Sequence, residues 1–458
     1  MSPHTTKILR DEVYFTVRVI PQKVSCGETG MKRTVLVIGA GASGMTAAAA
    51  AARGGASVTV IEGMKKPGRK LLLTGSGRCN LTNLDPGLVN RYASDTEGGA
   101  GIAADVIRRF GVRETLAFFE ELGLHWTERN GYVYPRSGQA QTVLSVLTEE
   151  MKRLGVKMKY DAHVQQIFFD RQTGLWNARV GDWCYQADRL ILAAGSKAYP
   201  STGSDGSGYT LARMAGHSCL PARPALSGIL AADEEKRLLK TAEGARTYGR
   251  VRLKAGAAGE VLKEDEGEIQ WTAYGLSGIV IFQLSRSVPA AGEAFLEIDL
   301  VPDREEEEIR PEIQKTIDHF GGTYSPRRLL EGYVHERVAA YLAEKAGLQD
   351  RKEVCAGELA RLLKNVRIGV KGVRSFEHAQ VCAGGVPLRE VSPETLESRI
   401  SPGLYLAGEL LDIDGPCGGY NLQWAWSSGY VAGTQAAAAP GGTGPDAAAG
   451  MRKKPAQR

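Results

Sequence analysis

The chain has 458 residues, of which 43% are hydrophobic and 24% are charged, as in an ordinary globular protein. The formal net charge of +5 is small for this length and the basic residues are dispersed, which argues against a nucleic-acid-binding protein. The seven cysteines form no CxxC pair, so we expect no metal site, no disulfide framework and a reduced, cytoplasmic protein.

The two ends of the chain differ from its centre. Residues 1–31 form an N-terminal extension in which 13–19 can add an edge strand, and Met31 is an alternative start, so we expect the extension to be dispensable. It lacks the apolar core of a secretion signal, and no apolar run approaches the roughly 18 residues of a membrane span. The Ala/Gly/Pro-rich tail at 437–458 is expected to be disordered.

The order of elements between these ends predicts an α/β fold. Strands are expected at 34–39, 57–62 and 189–194, alternating with helices at 43–53, 102–122 and 139–154, which predicts a mostly parallel sheet. Short strands at 251–255, 268–272 and 294–300 then predict an antiparallel β-barrel-like domain. Helices follow at 304–319, 325–346 and 356–363, before 386–433 returns to strand, turn and helix.

We therefore predict a Rossmann-like nucleotide-binding domain that is interrupted by an inserted β domain and a helical subdomain. The expected bounds are 32–220 for its first part, 221–302 for the β domain, 303–371 for the helical subdomain and 372–436 for its second part.

The segment VLVIGAGASG at 35–44 predicts a dinucleotide site. Gly39 permits a tight turn, Gly41 lets the backbone approach a diphosphate, and Gly44 lets the helix pack on the sheet. The helix N-terminus attracts the diphosphate, and Ser43 can add a hydroxyl donor. Glu62 ends the second strand, where a carboxylate can accept hydrogen bonds from the ribose hydroxyls. Its negative charge disfavours a 2′-phosphate, so the expected ligand is FAD or NAD and not NADP.

The loop PGRKLLLTGSGRCNLTN at 67–83 can wrap a ligand with backbone amides. Arg69, Lys70 and Arg78 can neutralise a diphosphate or a reduced flavin, although a solvated basic turn is the alternative. Cys79 has no neighbouring second cysteine, which favours an ordinary small buried residue over a redox role.

A second glycine-rich segment near the C-terminus favours a flavin over a plain nicotinamide site. Glu409 or Asp412 can hold the ribityl chain, Asp412 being equally compatible with a simple turn. Gly418 and Gly419 admit the isoalloxazine edge, and a helix beginning near Asn421 would direct its positive end at the flavin pyrimidine.

Four segments, GAGASGMTAAAAAARGG, GRKLLLTGSGRCNLTN, LAAGSKAYPSTGSDGSGYTLARMAGH and LYLAGELLDIDGPCGGYNLQWAWSSGYVAG, resemble the BaiN-type family of bacterial FAD-dependent oxidoreductases, also known as aminoacetone-oxidase-like flavoproteins. The resemblance runs from about Lys32 to Gly433. It implies an FAD domain, an inserted barrel-like domain and a helical portion. It also implies reduction of conjugated double bonds in 3-oxo bile-acid intermediates and a small steroid-like substrate. From the dispersed charge and the lack of a long apolar run, we expect neither a nucleic-acid nor a membrane partner.

The candidate cofactor contacts from the motifs and the resemblance are Gly39, Gly41, Ala42, Ser43, Gly44, Glu62, Arg69, Lys70, Thr74, Gly75, Arg78, Asn80, Val164, Ala194, Gly195, Gly408, Glu409, Asp412, Gly419, Tyr420, Asn421 and Leu422.

For such a substrate, a donor must hold the carbonyl oxygen and an acid must protonate the α-carbon. The candidates are Tyr420, Arg78 and His378, of which His378 is equally compatible with a surface position. No second dinucleotide motif is visible, so NAD(P)H is expected as a transient reductant, with another reductant as the alternative. An oxidase that passes electrons to oxygen and a flavin-bearing RNA-modifying or RNA-binding protein are the alternative functions.

Overall fold

The computed structural model describes residues 4–10, 13–21, 32–256, 259–290, 292–320, 323–349, 351 and 354–438. Met31 and most of the tail, from 439 onward, lie outside these residues, so the expectations about a start at Met31 and a disordered tail are untested. No helix within the described ranges is long and apolar enough to cross a membrane.

The strands are β1 (His4–Arg10), β2 (Val13–Pro21), β3 (Thr34–Ile38), β4 (Ser57–Ile61), β5 (Thr82–Asn83), β6 (Trp126–Arg129), β7 (Tyr132–Pro135), β8 (Lys157–Lys159), β9 (Gln166–Asp170), β10 (Leu175–Val180), β11 (Trp183–Ala187), β12 (Arg189–Leu192), β13 (Arg223–Ala225), β14 (Ile229–Ala231), β15 (Arg246–Ala255), β16 (Glu260–Thr272), β17 (Gly275–Ser277), β18 (Ala294–Asp299), β19 (Val366–Val373), β20 (Val381–Ala383) and β21 (Leu404–Leu406).

The α-helices are α1 (Ala42–Arg53), α2 (Arg69–Leu73), α3 (Gly99–Arg109), α4 (Val112–Glu121), α5 (Ala140–Arg153), α6 (Ser207–Met214), α7 (Lys236–Ala242), α8 (Ile279–Ser285), α9 (Glu306–Phe320), α10 (Pro326–Leu330), α11 (Glu336–Lys345), α12 (Ala356–Lys364) and α13 (Tyr420–Ala437).

The chain divides into two units, one formed by residues 1–222 and 381–458 and the other by residues 223–380. The first unit contains a five-stranded sheet in the order β21-β12-β3-β4-β8, in which every neighbouring pair is parallel. The helix α1 connects the parallel strands β3 and β4, as in a βαβ unit. The predicted α/β class with a Rossmann-like sheet is confirmed.

Helix α1 also packs on α13, the last helix of the same unit. Gly429 and Gly433 of α13 leave no room for a Cβ, because the carbonyl oxygens of Ser43 and Ala47 lie against them. The alanine run of α1 therefore packs on a helix as well as on strands, and this brings the N-terminal and C-terminal motifs together.

The second unit contains a closed barrel in the order β14-β17-β16-β15-β18-β19. Alternate residues of β15, such as Val251 and Leu253, point inward and are fully buried. The helices between β18 and β19 share the core of the barrel; for example, the Tyr341 ring of α11 lies 5.1 Å from the Trp271 ring. Strand β19 closes the barrel by pairing with both β14 and β18. The second unit continues past this strand to residue 380.

Two predicted helices are each divided in the structure. The helix expected at 102–122 consists of α3 and α4, because the Phe110 carbonyl accepts hydrogen bonds from Ser427 Oγ and Gln423 Nε2 at 2.6 and 3.3 Å. The helix expected at 325–346 consists of α10 and α11, and the His335 side chain accepts a hydrogen bond from the Arg337 N–H at the start of α11.

The strand expected at 13–19 is not at the edge. It belongs to β2, which lies between β1 and β11 in a second five-stranded sheet of the order β1-β2-β11-β10-β9. Pairing of β2 with β11 is parallel, and β1 takes the edge position.

Candidate active site

The turn between β3 and α1 requires glycine at its first position. Gly39 has a φ of +100°, and a Cβ there would lie 2.5 Å from the carbonyl oxygen of Ala193. The Gly39 N–H donates to the Ile61 carbonyl at 2.8 Å, which ties the turn to the end of β4. The turn is thus fixed between its two neighbouring strands.

Gly41 is glycine for a different reason. Its φ of −81° and ψ of −172° suit any residue, and a Cβ at this position would have no atom within 4 Å. The space that the missing side chain leaves open lies at the N-terminus of α1, where Ala42, Ser43 and Gly44 begin the helix without a side-chain cap. Unpaired N–H groups beside open space fit the diphosphate of a dinucleotide.

Glu62 follows β4 and is held by two backbone donors. Its Oε2 accepts from the Ala40 N–H at 2.7 Å and its Oε1 from the Met64 N–H at 2.8 Å. Each oxygen keeps a lone pair for a ribose hydroxyl. The Ala162 N–H donates to the Glu62 carbonyl at 3.0 Å, which brings the segment containing the buried Val164 to the same place.

The three basic residues of the following loop have different surroundings. Lys70 Nζ lies 2.6 Å from Glu409 Oε2. Arg69 is exposed, and the exposed Arg78 lies over the Tyr134 ring, 5.5 Å from its centroid. Neither arginine has an ion-pair partner among the residues that the structure describes, so both remain available to an anion.

The segment after α2 is a turn with an unusual backbone. Gly75, Ser76 and Cys79 all have φ between +56° and +60°, a region that costs a non-glycine residue roughly 1–2 kcal/mol. Thr74 stabilises the turn by donating from Oγ1 to the Leu71 carbonyl at 2.6 Å. Burial raises the pKa of the Cys79 thiol to about 12, which fits an ordinary buried residue and not a redox thiol.

Residues 81–83, at the end of the glycine-rich loop, form hydrogen bonds with the C-terminal glycine-rich segment. Asn83 Nδ2 donates to the Gly418 carbonyl at 2.9 Å, Thr82 Oγ1 donates to Gln423 Oε1 at 2.6 Å, and Trp426 Nε1 donates to the Leu81 carbonyl at 2.9 Å. The buried Asn80 side chain faces the carbonyl oxygens of Thr82 and Val133. Two segments from opposite ends of the chain therefore form one site.

The two acids proposed for the ribityl chain differ in exposure. Asp412 is completely buried, and its carboxylate accepts hydrogen bonds from Ser94 Oγ, from the Thr96 N–H and Oγ1 and from the Gly384 N–H at 2.7 to 3.1 Å. It fixes these loops and has no free face for a ligand. Glu409 keeps 19% of its side chain exposed, so the geometry favours Glu409 for this contact.

The start of α13 is held by its own side chains. Gly419 precedes the helix with a φ of +97° and no side-chain cap. Tyr420 Oη donates to Asp85 Oδ2 at 2.9 Å, and burial together with Asp85 raises the pKa of Tyr420 to about 12. Asn421 Nδ2 donates to the Gly415 carbonyl at 2.8 Å, and Asn421 Oδ1 accepts from the Gly415 N–H at the same distance. The next residue, Leu422, is half-buried.

The comparisons with known proteins agree with this geometry. The HI0933-like protein Rossmann domain family matches residues 33–435. A 3-dehydro-bile acid delta(4,6)-reductase of Clostridium scindens is 41% identical over 424 residues, which cover 88% of this chain and 99% of that protein. The chain belongs to the HI0933-like family. The resemblance to the BaiN-type family predicted from the motifs is confirmed.

Two further relatives are named for a different activity. Ribosomal RNA dihydrouridine synthases of Escherichia coli and Haemophilus influenzae are 29% and 28% identical to this chain. Each match covers 86% of this chain and 96% of the relative. The family and its reductase member support a flavoprotein oxidoreductase, whereas the expected absence of a nucleic-acid partner stays a prediction.

This HI0933-like chain has its candidate catalytic residues in both units. Tyr420 and Arg78 belong to the first unit, with Ala194 and Gly195, which follow β12. His378 belongs to the second unit, where it is exposed and its carbonyl oxygen lies 3.5 Å from Ser227 Oγ.

Gly408 of the first unit is fixed by two side chains of α13. Trp424 Nε1 donates a hydrogen bond to its carbonyl, and its N–H donates one to Ser428 Oγ.

A buried polar network beneath the site was not predicted from the sequence. The fully buried Gln423 accepts from Thr82 Oγ1 and donates to Thr115 Oγ1 and Ser427 Oγ at 2.8 and 2.9 Å. Gln423 and Ser427 are four residues apart and therefore lie on the same face of α13, and that spacing could have predicted a buried network. Within the described ranges, no cluster of three metal-ligating side chains occurs.

Proposed function

We propose that the chain is an FAD-dependent oxidoreductase that reduces a carbon–carbon double bond conjugated with the ketone of a 3-oxo bile acid. The observation that supports this most strongly is the meeting of the 80–83 segment with the start of α13, in a chain that is 41% identical to a bile-acid delta(4,6)-reductase. Bound FAD, once reduced, supplies the hydride for such a reaction.

Different residues of the first unit would hold different parts of the FAD. The open space at Gly41 and the uncapped α1 would take the diphosphate, and Glu62 the adenosine ribose. Glu409, paired with Lys70, would take the ribityl hydroxyls, and the uncapped start of α13 would stabilise negative charge on the ring.

The substrate needs two further groups from the protein. As hydride adds to the distal carbon of a conjugated enone, negative charge develops on the carbonyl oxygen and requires a donor. Arg78 is a donor without an ion-pair partner among the described residues, whereas the single O–H of Tyr420 donates to Asp85 Oδ2 and would have to leave it to reach the substrate. We retain the exposed His378 as the candidate acid for the α-carbon.

The same chemistry connects the relatives with different substrates. Dihydrouridine is uridine with a saturated C5–C6 bond, and this bond is conjugated with the C4 carbonyl in uridine. Reduction of a conjugated double bond is therefore the activity shared by both named functions, and an RNA substrate is the second candidate.

The charges on the barrel favour the small-molecule substrate. Its strand β15 presents Arg246, Arg250 and Arg252, but these pair with Glu268, Glu266 and Glu264 of β16. Lys254 pairs with Glu297 at 2.7 Å. Cations that are neutralised by neighbouring carboxylates offer little attraction to RNA phosphates.

We further propose that NAD(P)H serves as a transient reductant. We also propose that the protein takes part in bile-acid 7-dehydroxylation and is located in the cytoplasm.

The test is single-turnover reduction. The photoreduced enzyme is mixed anaerobically with a 3-oxo-4-ene or 4,6-diene bile acid, with unmodified ribosomal RNA, or with buffer, while flavin absorbance and product mass are followed. We expect rapid reoxidation and a mass gain of two hydrogens with the bile acid alone. Reoxidation by RNA alone would assign the dihydrouridine activity. Reoxidation only by oxygen, with amine-dependent peroxide, would assign an oxidase.

A further inference from the structure

A groove in the first unit lies outside the residues assigned to the flavin. Its volume is about 510 Å³, within the range of small-molecule sites, and it is lined by Glu120, His125, Trp126 and Arg136. Glu120 is in the last turn of α4, whereas the other three residues belong to the hairpin of β6 and β7 or directly flank it. Trp126 pairs with Pro135, and the Arg136 N–H donates to the His125 carbonyl at 2.8 Å. Backbone pairing therefore fixes one wall of the groove.

The side chains of the groove differ in chemistry. Trp126 is half-buried, and its Nε1 donates to Glu120 Oε1 at 2.7 Å, which holds the indole in place. The second carboxylate oxygen of Glu120 and the side chains of His125 and Arg136 have no partner among the residues that the structure describes. An aromatic ring, a carboxylate, an imidazole and a guanidinium therefore line the same space.

This combination of groups matches the parts of a nucleotide. A base stacks on an indole ring, a carboxylate accepts hydrogen bonds from ribose hydroxyls, and a guanidinium binds phosphate oxygens with two parallel N–H groups. Other ligand classes fit less well. The Glu120 carboxylate would repel a simple anion, and an apolar ligand would bury Arg136 without a partner.

One hairpin connects the groove to the flavin site within the same unit. Trp126 pairs with Pro135 beside the groove, and Tyr132 lies three residues, or roughly 10 Å, farther along this hairpin. The Tyr132 ring lies against Gly418 and leaves no room for a Cβ there. Gly418 is one of the two glycines predicted to admit the isoalloxazine edge. Two nucleotides joined by a diphosphate can span this distance, whereas a mononucleotide in the groove cannot.

We infer that the groove binds the adenosine diphosphate half of the nicotinamide nucleotide that reduces the flavin. This inference rests on the proposed function, in which NAD(P)H is the transient reductant. The Trp126 ring stacks on the adenine, Glu120 accepts from the ribose hydroxyls, and Arg136 binds the diphosphate. The Glu120 carboxylate disfavours a 2′-phosphate, so NADH binds more tightly than NADPH. Each NADH transfers one hydride, which carries two electrons, to the oxidised flavin and leaves as NAD⁺.

The first experiment measures binding without turnover. The oxidised holoenzyme is titrated calorimetrically with ADP-ribose, which has the adenosine and the diphosphate of NADH but cannot reduce a flavin. We expect Arg136→Gln to weaken binding about tenfold, because it removes the charged donors to the diphosphate. Arg136→Lys should recover part of the loss, since it restores the charge without the planar fork. Trp126→Leu should weaken binding through the lost stacking.

The matched control is Arg171→Gln, in the turn between β9 and β10 of the same unit. Arg171 is exposed and, like Arg136, has no ion-pair partner among the described residues, so the control loses the same charge outside the groove. We expect it to bind ADP-ribose as the wild type does. Glu120→Gln keeps an acceptor for Trp126 but should reduce the preference for NADH over NADPH. Flavin content and far-UV circular dichroism check that each variant is folded.

The second experiment follows reduction of the oxidised flavin by NADH in an anaerobic stopped-flow instrument. We expect Arg136→Gln to raise the NADH concentration that gives the half-maximal rate by a similar factor, with the limiting rate retained. Equal ADP-ribose binding by Arg136→Gln and Arg171→Gln would overturn the inference.

Failure of this inference can be distinguished from failure of the proposed function. A photoreduced wild type that reduces the bile acid but does not bind ADP-ribose would overturn the inference alone. Binding of ADP-ribose that depends on Arg136, in an enzyme that does not reduce the bile acid after photoreduction, would retain the nucleotide groove and overturn the proposed function.

Discussion

Lys70 Nζ lies 2.6 Å from Glu409 Oε2, although the two residues are 339 positions apart. Ser196 Oγ donates to the same carboxylate oxygen at 2.9 Å. The side chains of Lys70 and Glu409 are only 26% and 19% exposed, so the pair is partly shielded from water. This contact connects the glycine-rich loop after β4 to the C-terminal strand end that precedes α13.

A double-mutant cycle with Lys70→Met and Glu409→Gln tests this connection. We expect a coupling free energy of about 1 kcal/mol in urea unfolding, because the pair is less screened than a surface ion pair. We also expect Glu409→Gln to lower flavin retention on gel filtration. The matched control is the pair of Lys152 and Glu149, which are 80% and 74% exposed and 3.9 Å apart, where coupling should be near zero. Equal coupling in both pairs would contradict the prediction.

Gly41→Val should abolish flavin binding while preserving the fold. The backbone of Gly41 suits valine, and no protein atom lies within 4 Å of the added Cβ, so the new side chain occupies only the space assigned to the diphosphate. The measurements are the flavin-to-protein absorbance ratio and thermal unfolding of the apoprotein. Gly101→Val provides the control, because a Cβ on this helical glycine also has no neighbour within 4 Å. A Gly41→Val protein with full flavin content would refute the site assignment.

Glu150 should make the stability of the first unit depend on pH. It accepts from Arg153 Nε at 2.6 Å and from Arg53 Nε at 2.8 Å, and only 4% of its side chain is exposed. Hydrogen bonds from Arg153 and then Arg53 hold the pKa of this carboxyl below its ordinary value of 4.5. The stabilisation is therefore present above pH 4.5 and is lost as the pH falls through the lower folded value.

Glu150→Gln should consequently lower the free energy of unfolding by about 2 kcal/mol at pH 7, with a difference that shrinks below pH 4.5. Urea titrations between pH 3 and 7 measure this. Glu149→Gln, at a position 74% exposed, is the control and should change stability little at any pH. A difference that is constant across this pH range would show that the Glu150 ion pairs contribute nothing through its charge.

Cys79 should resist alkylation in the folded protein. Its thiol is fully buried, and burial raises its pKa to about 12, so almost no thiolate is present at pH 8. Cys355 is exposed. Brief treatment with iodoacetamide at pH 8, followed by peptide mass spectrometry, should label Cys355 but leave Cys79 unlabelled until urea is added. Labelling of Cys79 at the rate of Cys355 would revive a redox role for this residue.

The sequence by itself determined the features that depend on neighbouring residues. The turn at Gly39, the open position at Gly41 and the acid at Glu62 lie within one βαβ unit, where local backbone geometry decides which residues fit. The short strand-like run at 251–255 likewise predicted a strand of the barrel, and it lies within β15. The motifs were also sufficient to identify the family, because they extend along most of the chain.

Only the tertiary structure decided which distant groups meet. The network of Thr82 with Gln423 and the pairing of Lys70 with Glu409 join residues more than three hundred positions apart, and no local pattern encodes such a contact. Burial separated Asp412 from Glu409, although both acids occupy the same motif. The division of the helix expected at 102–122 has the same origin, because the Phe110 carbonyl forms hydrogen bonds with side chains of α13. Each outcome depends on how remote segments pack, and packing is a property of the whole fold.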